Sequence, residues 1–315
     1  MGRVIGIDLG TTYSCVAALV DNVPKVIPNL EGASTTPSMV CFTSAGETLI
    51  GNLALRQAVT NPDKTLFAIK RLIGRKFRSP EVQEARRRLP YTLIEAPNGD
   101  VMVEVGAQLI TPQEVSALIL GYLKKSAAAH FGEDVREAVI TVPAHFDDNQ
   151  RQATKDAATI AGLDVLRVIN EPTAASLAYG LNEKGGGTVA VFDMGGGTFD
   201  FTVLEINAGV FQVLSTNGNS FLGGEDFDQR VVEWLLQEYR KETRDDLSRD
   251  KYALQRIKEA AEKAKRELSF THESEINLPF ISSSPAGSRH LRKTLTRTLL
   301  EELTRDLVDK AFPLI

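Results

Sequence analysis

A short theme that occurs twice in the sequence constrains the fold more than any other feature. In each copy a strand-like run of apolar, often β-branched residues leads to an aspartate, a turn with glycine and threonine follows, and a second strand-like run comes next. The first copy has its leading strand at residues 4–9 and the second at residues 188–192. An internal repeat of this kind predicts two similar lobes that face each other.

The two turns carry the residue types that phosphate sites need. Glycine lets backbone N–H groups approach an anion closely, and Mg²⁺ prefers one or two carboxylates together with phosphate oxygens and water. The first turn offers Asp8, Gly10, Thr11 and Thr12, and the second offers Asp193, Gly195, Gly196, Gly197 and Thr198. Either turn alone is better explained as a tight hairpin with a capping aspartate, but two matched copies favour phosphate binding.

Strand-like and helix-like segments alternate along the chain, which predicts an α/β fold. Further strands are predicted at residues 14–20, 25–28, 138–142, 165–169, 199–206, 210–216, 276–281 and 291–295. Helices are predicted at residues 112–130, 147–161, 172–181, 227–240, 250–269 and 301–312, with helices and loops mixed over 51–88. The glycines at 185–187 predict a hinge or lobe boundary.

Composition excludes several classes of function. The 315 residues carry a formal net charge of −5 without a block of Lys and Arg, so general nucleic-acid binding is not expected. Cys15 and Cys41 are the only cysteines, and without Cys/His ligand spacing a zinc site is not expected. The four histidines, which also lack ligand spacing, are interpreted as incidental: His130, His145, His272 and His290.

Other signals are missing from the sequence. It contains neither G-x-x-x-x-G-K-[ST] nor G-x-G-x-x-G, so neither a P-loop nor a dinucleotide site is expected. No signal-peptide apolar region and no membrane-length apolar run is found. A cytoplasmic protein without membrane contact is therefore expected.

One predicted helix carries a polar stripe. Glu262, Lys265, Arg266 and Ser269 are spaced so that they share one face of the helix at 250–269. A solvated face with an ion pair between Glu262 and Arg266 explains this stripe by itself. A planar guanidinium and a small hydroxyl would nonetheless suit an adenine ring.

Seven long motifs, in order along residues 2 to about 310, resemble the seventy-kilodalton heat-shock chaperones, with DnaK the nearest type. The motifs are IGIDLGTTYS, FAIKRLIGRKF, VITVPAHFDDNQRQATKDAA, VINEPTAASLAYGL, VFDMGGGTFD, FLGGEDFD and EKAKRELS. The resemblance implies an α/β, actin-like ATPase fold, in which two ribonuclease-H-like lobes enclose a nucleotide cleft. The first lobe would be 1–184, with core 1–39 and 112–184 and a peripheral subdomain 40–111. The second would be 185–315, with core 185–225 and 301–315, a peripheral subdomain 226–300, and the family's final core elements missing.

The resemblance implies a Mg²⁺-dependent ATPase that binds ATP and ADP, with K⁺ beside the phosphates, and it assigns a role to each matching residue. Asp8 and Asp193 would hold Mg²⁺, largely through water, and the phosphates would be cradled by Gly10, Thr11, Thr12, Tyr13, Gly195, Gly196, Gly197 and Thr198. Lys70 would reach the γ-phosphate, while Glu171, assisted by Asp200 and Thr198, would orient the attacking water. Ribose and adenine would contact Glu262, Lys265, Arg266 and Ser269, and Gly223 and Gly224 would also bind the nucleotide.

The resemblance also implies partners. A J-domain co-chaperone would contact Arg167, Asn170 and Thr173, and an exchange factor of the GrpE type would bind the domain. Pro143 and Arg151 would relay conformational changes from the nucleotide cleft to the surface of the lobe. Because the segment 205–210 is shorter and less acidic than in DnaK, weakened J-domain contact is expected. The family's peptide-binding domain and second adenosine motif are not in the sequence, so we expect no binding of unfolded peptide and weak, poorly selective binding of ATP.

Three residues depart from the family pattern: Met194 stands for Leu, His145 for Tyr and Asp147 for Asn.

Three other functions stay open at this point. They are a small-metabolite kinase of the same superfamily, an actin-like filament protein, and a degenerate, non-catalytic remnant of the chaperone domain.

Overall fold

The computed structural model describes residues 3–180, 186–284 and 287–315. By its contacts the chain divides into two compact units, Met1–Ser220 and Phe221–Ile315. The hinge predicted at 185–187 falls partly on Gly185, which lies outside the described residues. The lobe boundary predicted there therefore stays a prediction.

The first unit begins with strands and ends with strands, and its helices lie between them. Its strands are β1 Val4–Asp8, β2 Tyr13–Val20, β3 Val23–Ile27, β4 Thr36–Pro37, β5 Val40–Phe42, β6 Thr48–Ile50, β7 Thr65–Leu66, β8 Thr92–Glu95, β9 Val101–Val105, β10 Gln108–Ile110, β11 Glu137–Val142, β12 Asp164–Asn170, β13 Gly187–Met194, β14 Phe199–Asn207 and β15 Val210–Asn219. Its helices are α1 Asn52–Gln57, α2 Pro80–Arg88, α3 Pro112–Phe131, α4 Asp148–Ile160 and α5 Glu171–Ala178.

The largest sheet of this unit has the strand order β12-β11-β1-β2-β3, with β4 on β2. Strand β1 alternates between buried and exposed residues, since Ile5 and Ile7 are buried and their neighbours are not, as expected for strand geometry. β1, β11 and β12 run parallel, with Asp8 opposite Thr141 and Val142 opposite Asn170. Because parallel strands end at one edge of a sheet, the residues that follow all three strands meet there.

Capping fixes where α4, the helix that follows β11, begins. Asp147 accepts a hydrogen bond from the backbone N–H of Gln150 at 2.9 Å, and the Gln150 side chain accepts one from the N–H of Asp147 at 3.3 Å. This reciprocal capping box satisfies two N–H groups that an α-helix leaves without partners. The loop 143–147 is thereby fixed at its far end, where α4 begins.

The second copy of the repeated theme forms an antiparallel sheet with the order β13-β14-β15. Asp193 lies directly opposite Asp200 in the β13–β14 register. The β14–β15 hairpin closes at Ala208 and Gly209, both with positive φ, which is the geometry of tight hairpin turns. The less acidic segment 205–210 is therefore a compact turn.

The second unit packs helices on a two-stranded hairpin. Its elements are α6 Gly224–Thr243, α7 Lys251–Glu267, β16 Glu273–Ser284, β17 Gly287–Thr296 and α8 Arg297–Asp309. The apolar stripe of α7 (Leu254, Ile257, Ala261, Ala264 and Leu268) is buried apart from Leu254, which is partly buried. The helix predicted at 250–269 is confirmed, and its apolar face builds the core of this unit.

No helix of the described ranges is long and apolar enough to cross a membrane.

The core of the second unit gives a stability prediction. Ile257 is completely buried there, so Ile257→Ala should lower the free energy of unfolding by about 3 kcal/mol, through lost burial and the cavity left behind. The only tryptophan, Trp234, packs against the same core, and its fluorescence in a urea titration would measure the change. Lys258→Ala, on the exposed side of the same helix, should change stability by no more than about 0.5 kcal/mol. Equal effects of the two substitutions would contradict the packing described.

Candidate functional site

A buried ion pair lies at the edge where the parallel strands end. The Nζ of Lys70 and the Oε1 of Glu171 are 2.5 Å apart, with side chains 9% and 18% exposed. Lys70 belongs to a short 3₁₀ turn, Ile69–Arg71, while Glu171 is the first residue of α5 and precedes Pro172, a position where proline favours a helix start. Lys70 is therefore not a surface residue.

Aspartates surround this ion pair and set its electrostatics. Burial works to lower the pKa of Lys70, but the charges of Glu171 and Asp8 outweigh burial and raise it. Burial raises the pKa of Glu171, and Asp8 adds to this against the opposing effect of Lys70. The pKa of Asp193 is raised by burial and then by the charges of Asp200 and Asp8. Four carboxylates thus act on one another around a single lysine, and such an excess of negative charge attracts cations.

The two glycine-rich turns of the repeat contact each other beside these acids. A Cβ atom on Gly196 would lie 2.6 Å from the Thr12 side chain, and one on Gly197 would lie 3.4 Å from Thr11. A Cβ atom on Gly10 would lie 1.9 Å from the carbonyl oxygen of Tyr13. The approaches at Gly10 and Gly196 leave no room for a Cβ atom and therefore require glycine. The fold thus brings the two predicted phosphate turns together.

The second turn is closed by its own backbone. The N–H of Gly195 donates to the carbonyl oxygen of Thr198 at 2.8 Å, and β14 begins at the next residue. Asp193 precedes the turn, and Asp200 follows it on the neighbouring strand. Backbone groups and carboxylates are therefore concentrated at one place, as in sites for phosphate and metal.

The predicted adenosine residues belong to the second unit. The Nζ of Lys265 donates to the carbonyl oxygen of Gly224 at 2.7 Å and lies 2.7 Å from the Oδ1 of Asp228. Burial raises the pKa of Asp228, while Lys265 opposes the shift. Gly223 comes just before α6, where its N–H donates to Asp226. The fold thus joins Lys265 to the glycine pair through contacts that sequence spacing did not indicate.

Of the remaining members of the polar stripe, Glu262 and Arg266 lie on the accessible side of α7, and Ser269 lies in the turn that follows the helix. Glu262 is partly buried, whereas Arg266 and Ser269 are exposed. Glu262 and Arg266 line one open pocket together with Phe270, whose side chain is 91% exposed. This pocket therefore exposes a guanidinium and an aromatic ring.

A family model described as Hsp70 protein matches residues 4–314. The chain belongs to the Hsp70 family. Its α/β fold is therefore the actin-like ATPase fold, and the predicted fold class is confirmed. The chain is a chaperone ATPase domain of a family that binds ATP and ADP and works with J-domain proteins and nucleotide exchange factors.

Several residues that position the site of this Hsp70-family domain were not predicted. The Nη2 of Arg71 donates to the carbonyl oxygen of Gly197 at 2.5 Å, and the Oγ of Ser38 donates to that of Gly10 at 2.7 Å. Thr141 donates to the Oδ1 of Asp8 at 3.3 Å. Arg71 lies beside Lys70 in the motif FAIKRLIGRKF, so the sequence could have indicated a role for it at the site. No motif or spacing marks Ser38.

His145 requires a correction. The sequence interpretation made it incidental because it shows no ligand spacing. In the structure the Nδ1 of His145 lies 3.0 Å from the Oδ1 of Asp200. Spacing along the chain could not reveal this contact, because it joins the loop after β11 to a distant strand.

The contact between the two turns predicts a nucleotide-binding defect. Gly196→Ala would place its Cβ atom against Thr12, and the overpacking should cost about 1–3 kcal/mol. If the turns must make this approach to bind nucleotide, ATP affinity should fall roughly 5- to 150-fold. Calorimetric titration with ATP would measure this. Gly121→Ala, in the middle of α3 with nothing within 4 Å of the added Cβ, should leave ATP affinity unchanged and stabilise the helix by up to about 1 kcal/mol. Wild-type affinity in Gly196→Ala would mean that nucleotide binding does not need this approach of the turns.

Proposed function

We propose that this domain is of the DnaK type and hydrolyses ATP in a reaction that depends on Mg²⁺. The observation that carries the proposal is the buried Lys70–Glu171 pair, set among aspartates beside two contacting glycine-rich turns. A transferring phosphoryl group needs positioned cations and backbone donors more than covalent chemistry. This arrangement supplies both kinds of group.

The chemistry of the acids fits a Mg²⁺ ion held through water. Within the described ranges, no three or more His, Cys, Asp or Glu side chains are grouped to hold a metal directly. Mg²⁺ loses water reluctantly and is commonly held by one or two carboxylates, which suits Asp8 and Asp193. When bound, the ion would neutralise charge on the phosphates. K⁺ beside the phosphates stays a prediction.

We assign the other groups by their chemistry. Backbone N–H groups and hydroxyls of the two turns, including Thr11, Thr12 and Thr198, would hold phosphate oxygens. The ammonium of Lys70 would offset charge on the γ-phosphate. The carboxylate of Glu171 would orient the attacking water, and its raised pKa makes it a better proton acceptor than an exposed glutamate. Asp200 would assist Glu171 in orienting the attacking water.

Binding of adenosine would use the second unit. Glu262, Lys265, Arg266 and Ser269 would contact ribose and adenine, with Lys265 held by Gly224 and Asp228. A planar guanidinium can stack on a purine, which a lysine cannot do. Gly223 and Gly224 would allow close approach at the start of α6.

Catalysis gives the first test. Glu171→Ala and Lys70→Ala should each retain Mg-ATP binding and slow hydrolysis on the order of a hundredfold or more, whereas Asp193→Ala should also weaken binding that depends on the metal. Single-turnover hydrolysis and calorimetry would separate the two effects.

Two controls accompany this test. Lys125→Ala, on the exposed side of α3, should hydrolyse ATP at the wild-type rate. Circular dichroism would identify any variant that fails to fold, since an unpaired buried charge destabilises. Unchanged hydrolysis in both Glu171→Ala and Lys70→Ala would overturn the assigned roles.

We also propose a J-domain contact surface at Arg167, Asn170 and Thr173, and binding of an exchange factor of the GrpE type. Arg167 is exposed on β12, while Asn170 accepts a hydrogen bond from the Nη2 of Arg151 at 2.7 Å. Arg151 also donates to the carbonyl oxygens of Ala144 and Phe146. These contacts support the proposal that Arg151, with Pro143, relays changes toward this surface. A cytoplasmic location stays a prediction.

The J-domain proposal predicts weak binding that depends on salt. J-domains present basic residues, and the hairpin turn at 205–210 offers only one carboxylate, Glu205. Affinity should therefore be low and should fall further between about 50 mM and about 300 mM salt. Ala208→Asp adds a carboxylate at a positive-φ position that aspartate tolerates, and it should strengthen binding. Tight binding that salt does not change would count against this surface.

A further inference from the structure

Phe270 presents an aromatic ring to solvent just after the polar stripe of α7. It is 91% exposed, the highest value among the large apolar residues that the structure describes. Phe270 directly follows the motif EKAKRELS, and none of the seven motifs includes it, so the family resemblance gives it no role. An exposed ring of this size has much to gain from a partner, because covering its apolar surface is favourable.

The backbone that carries Phe270 is held in place. The N–H of Phe270 donates to the carbonyl oxygen of Glu267 at 2.9 Å. The guanidinium of Arg297 donates to carbonyl oxygens before and after it, to that of Leu268 at 2.8 and 3.0 Å and to that of Thr271 at 2.7 Å. The turn therefore keeps the ring beside the pocket, and a ligand that covers the ring has little backbone to order.

The pocket beside Phe270 has the size and the chemistry for a nucleobase. Its volume is about 390 Å³, within the range of roughly 300–1,000 Å³ that is usual for small-molecule sites. Phe270 and Arg266 supply an aromatic face and a planar cation, both of which stack on flat rings. Carboxylates that can accept hydrogen bonds are supplied by Glu259, Glu262 and Glu267.

The charges around the pocket disfavour an anion. Its three glutamates are opposed by Lys263 and Arg266, and the Nζ of Lys263 lies 3.6 Å from the Oε1 of Glu267. A phosphate group would add negative charge beside the other carboxylates. A neutral ring with an amino group fits better, because its N–H groups can donate to a carboxylate while its faces stack.

We propose that the ring of Phe270 stacks on the purine base of the bound nucleotide and makes this pocket select purines over pyrimidines. The inference rests on the proposed binding of adenosine by the polar stripe. Every base has a π-face that can stack on an aromatic ring, and the two rings of a purine offer more face than the single ring of a pyrimidine. Adenine and guanine both carry an amino group for the carboxylates, so this pocket should separate them little.

Removal of the ring tests the proposal. Because Phe270 is so exposed, Phe270→Ser should leave the fold intact, which circular dichroism would check. Calorimetric titration would give affinities for Mg-ATP, Mg-GTP, Mg-CTP and Mg-tripolyphosphate. We expect Phe270→Ser to bind ATP and GTP roughly 5- to 150-fold more weakly than wild type, the range for the loss of one stacked base. The loss for CTP should be smaller, and tripolyphosphate, which has no base, should bind both proteins equally.

Two further variants serve as controls. Phe270→Trp keeps an aromatic face and should bind ATP at least as tightly as wild type. Tyr252→Ser removes another exposed aromatic ring, at the opposite end of α7, and should keep the wild-type affinities.

The outcomes separate this proposal from the proposed function. A wild-type ATP affinity in Phe270→Ser would overturn the stack, and so would an equal loss for ATP and tripolyphosphate. If Phe270→Ser changed only the sedimentation of the nucleotide-free domain, the ring would instead cover a second copy of this chain. Failure of the proposed function looks different, because wild type itself would then bind Mg-ATP no more tightly than Mg-tripolyphosphate, and the proposal would fail with it.

A second readout reports on the stack directly. Stacking on a purine quenches the fluorescence of an indole, so Mg-ATP should quench the indole introduced by Phe270→Trp, whereas Mg-tripolyphosphate should not. Trp234, the only native tryptophan, packs against the core of the same unit, and its signal in wild type would be subtracted. Equal quenching by the two ligands, or quenching by neither, would overturn the proposal.

Discussion

The joint burial of Lys70 and Glu171 is the constraint on which the site depends. Removing a charge from water costs several kcal/mol, and removing one member of a buried pair leaves that cost uncompensated. The two residues are 101 positions apart, so the pair forms only when the 3₁₀ turn and the start of α5 come together. The parallel strands β1, β11 and β12 provide this, because they end at one edge. The rest of the unit can be understood as the structure that holds that edge in place.

The same edge explains why glycine is needed in the turns. The turn after β1 and the turn after β13 approach so closely that a Cβ on Gly196 would overlap Thr12. Backbone N–H groups can converge on an anion only when no side chain separates them. Arg71 and Ser38 then hold the carbonyl oxygens of Gly197 and Gly10, which fixes turns that have little side-chain packing of their own.

The sequence predicted the elements whose own apolar periodicity marks them along the chain. The helix at 112–130 and the strand at 4–9 were predicted within one residue of α3 and β1, because their apolar periodicity covers most of the element. The short strands β4 to β10 were missed, since strands of two to five residues carry too little alternation to stand out. His145 and Asp228 were missed for another reason. Their contacts with Asp200 and Lys265 link distant segments, and no spacing along the chain encodes them.

The excess of carboxylates also decides what kind of ligand the edge can accept. Asp8, Glu171, Asp193 and Asp200 outnumber the one lysine among them, and the raised pKa values of Glu171 and Asp193 record that excess. A bare polyphosphate would add negative charge to a place that already repels it. Under the proposed function, nucleotide and metal must therefore arrive as one ligand, with the cation between the acids and the phosphates.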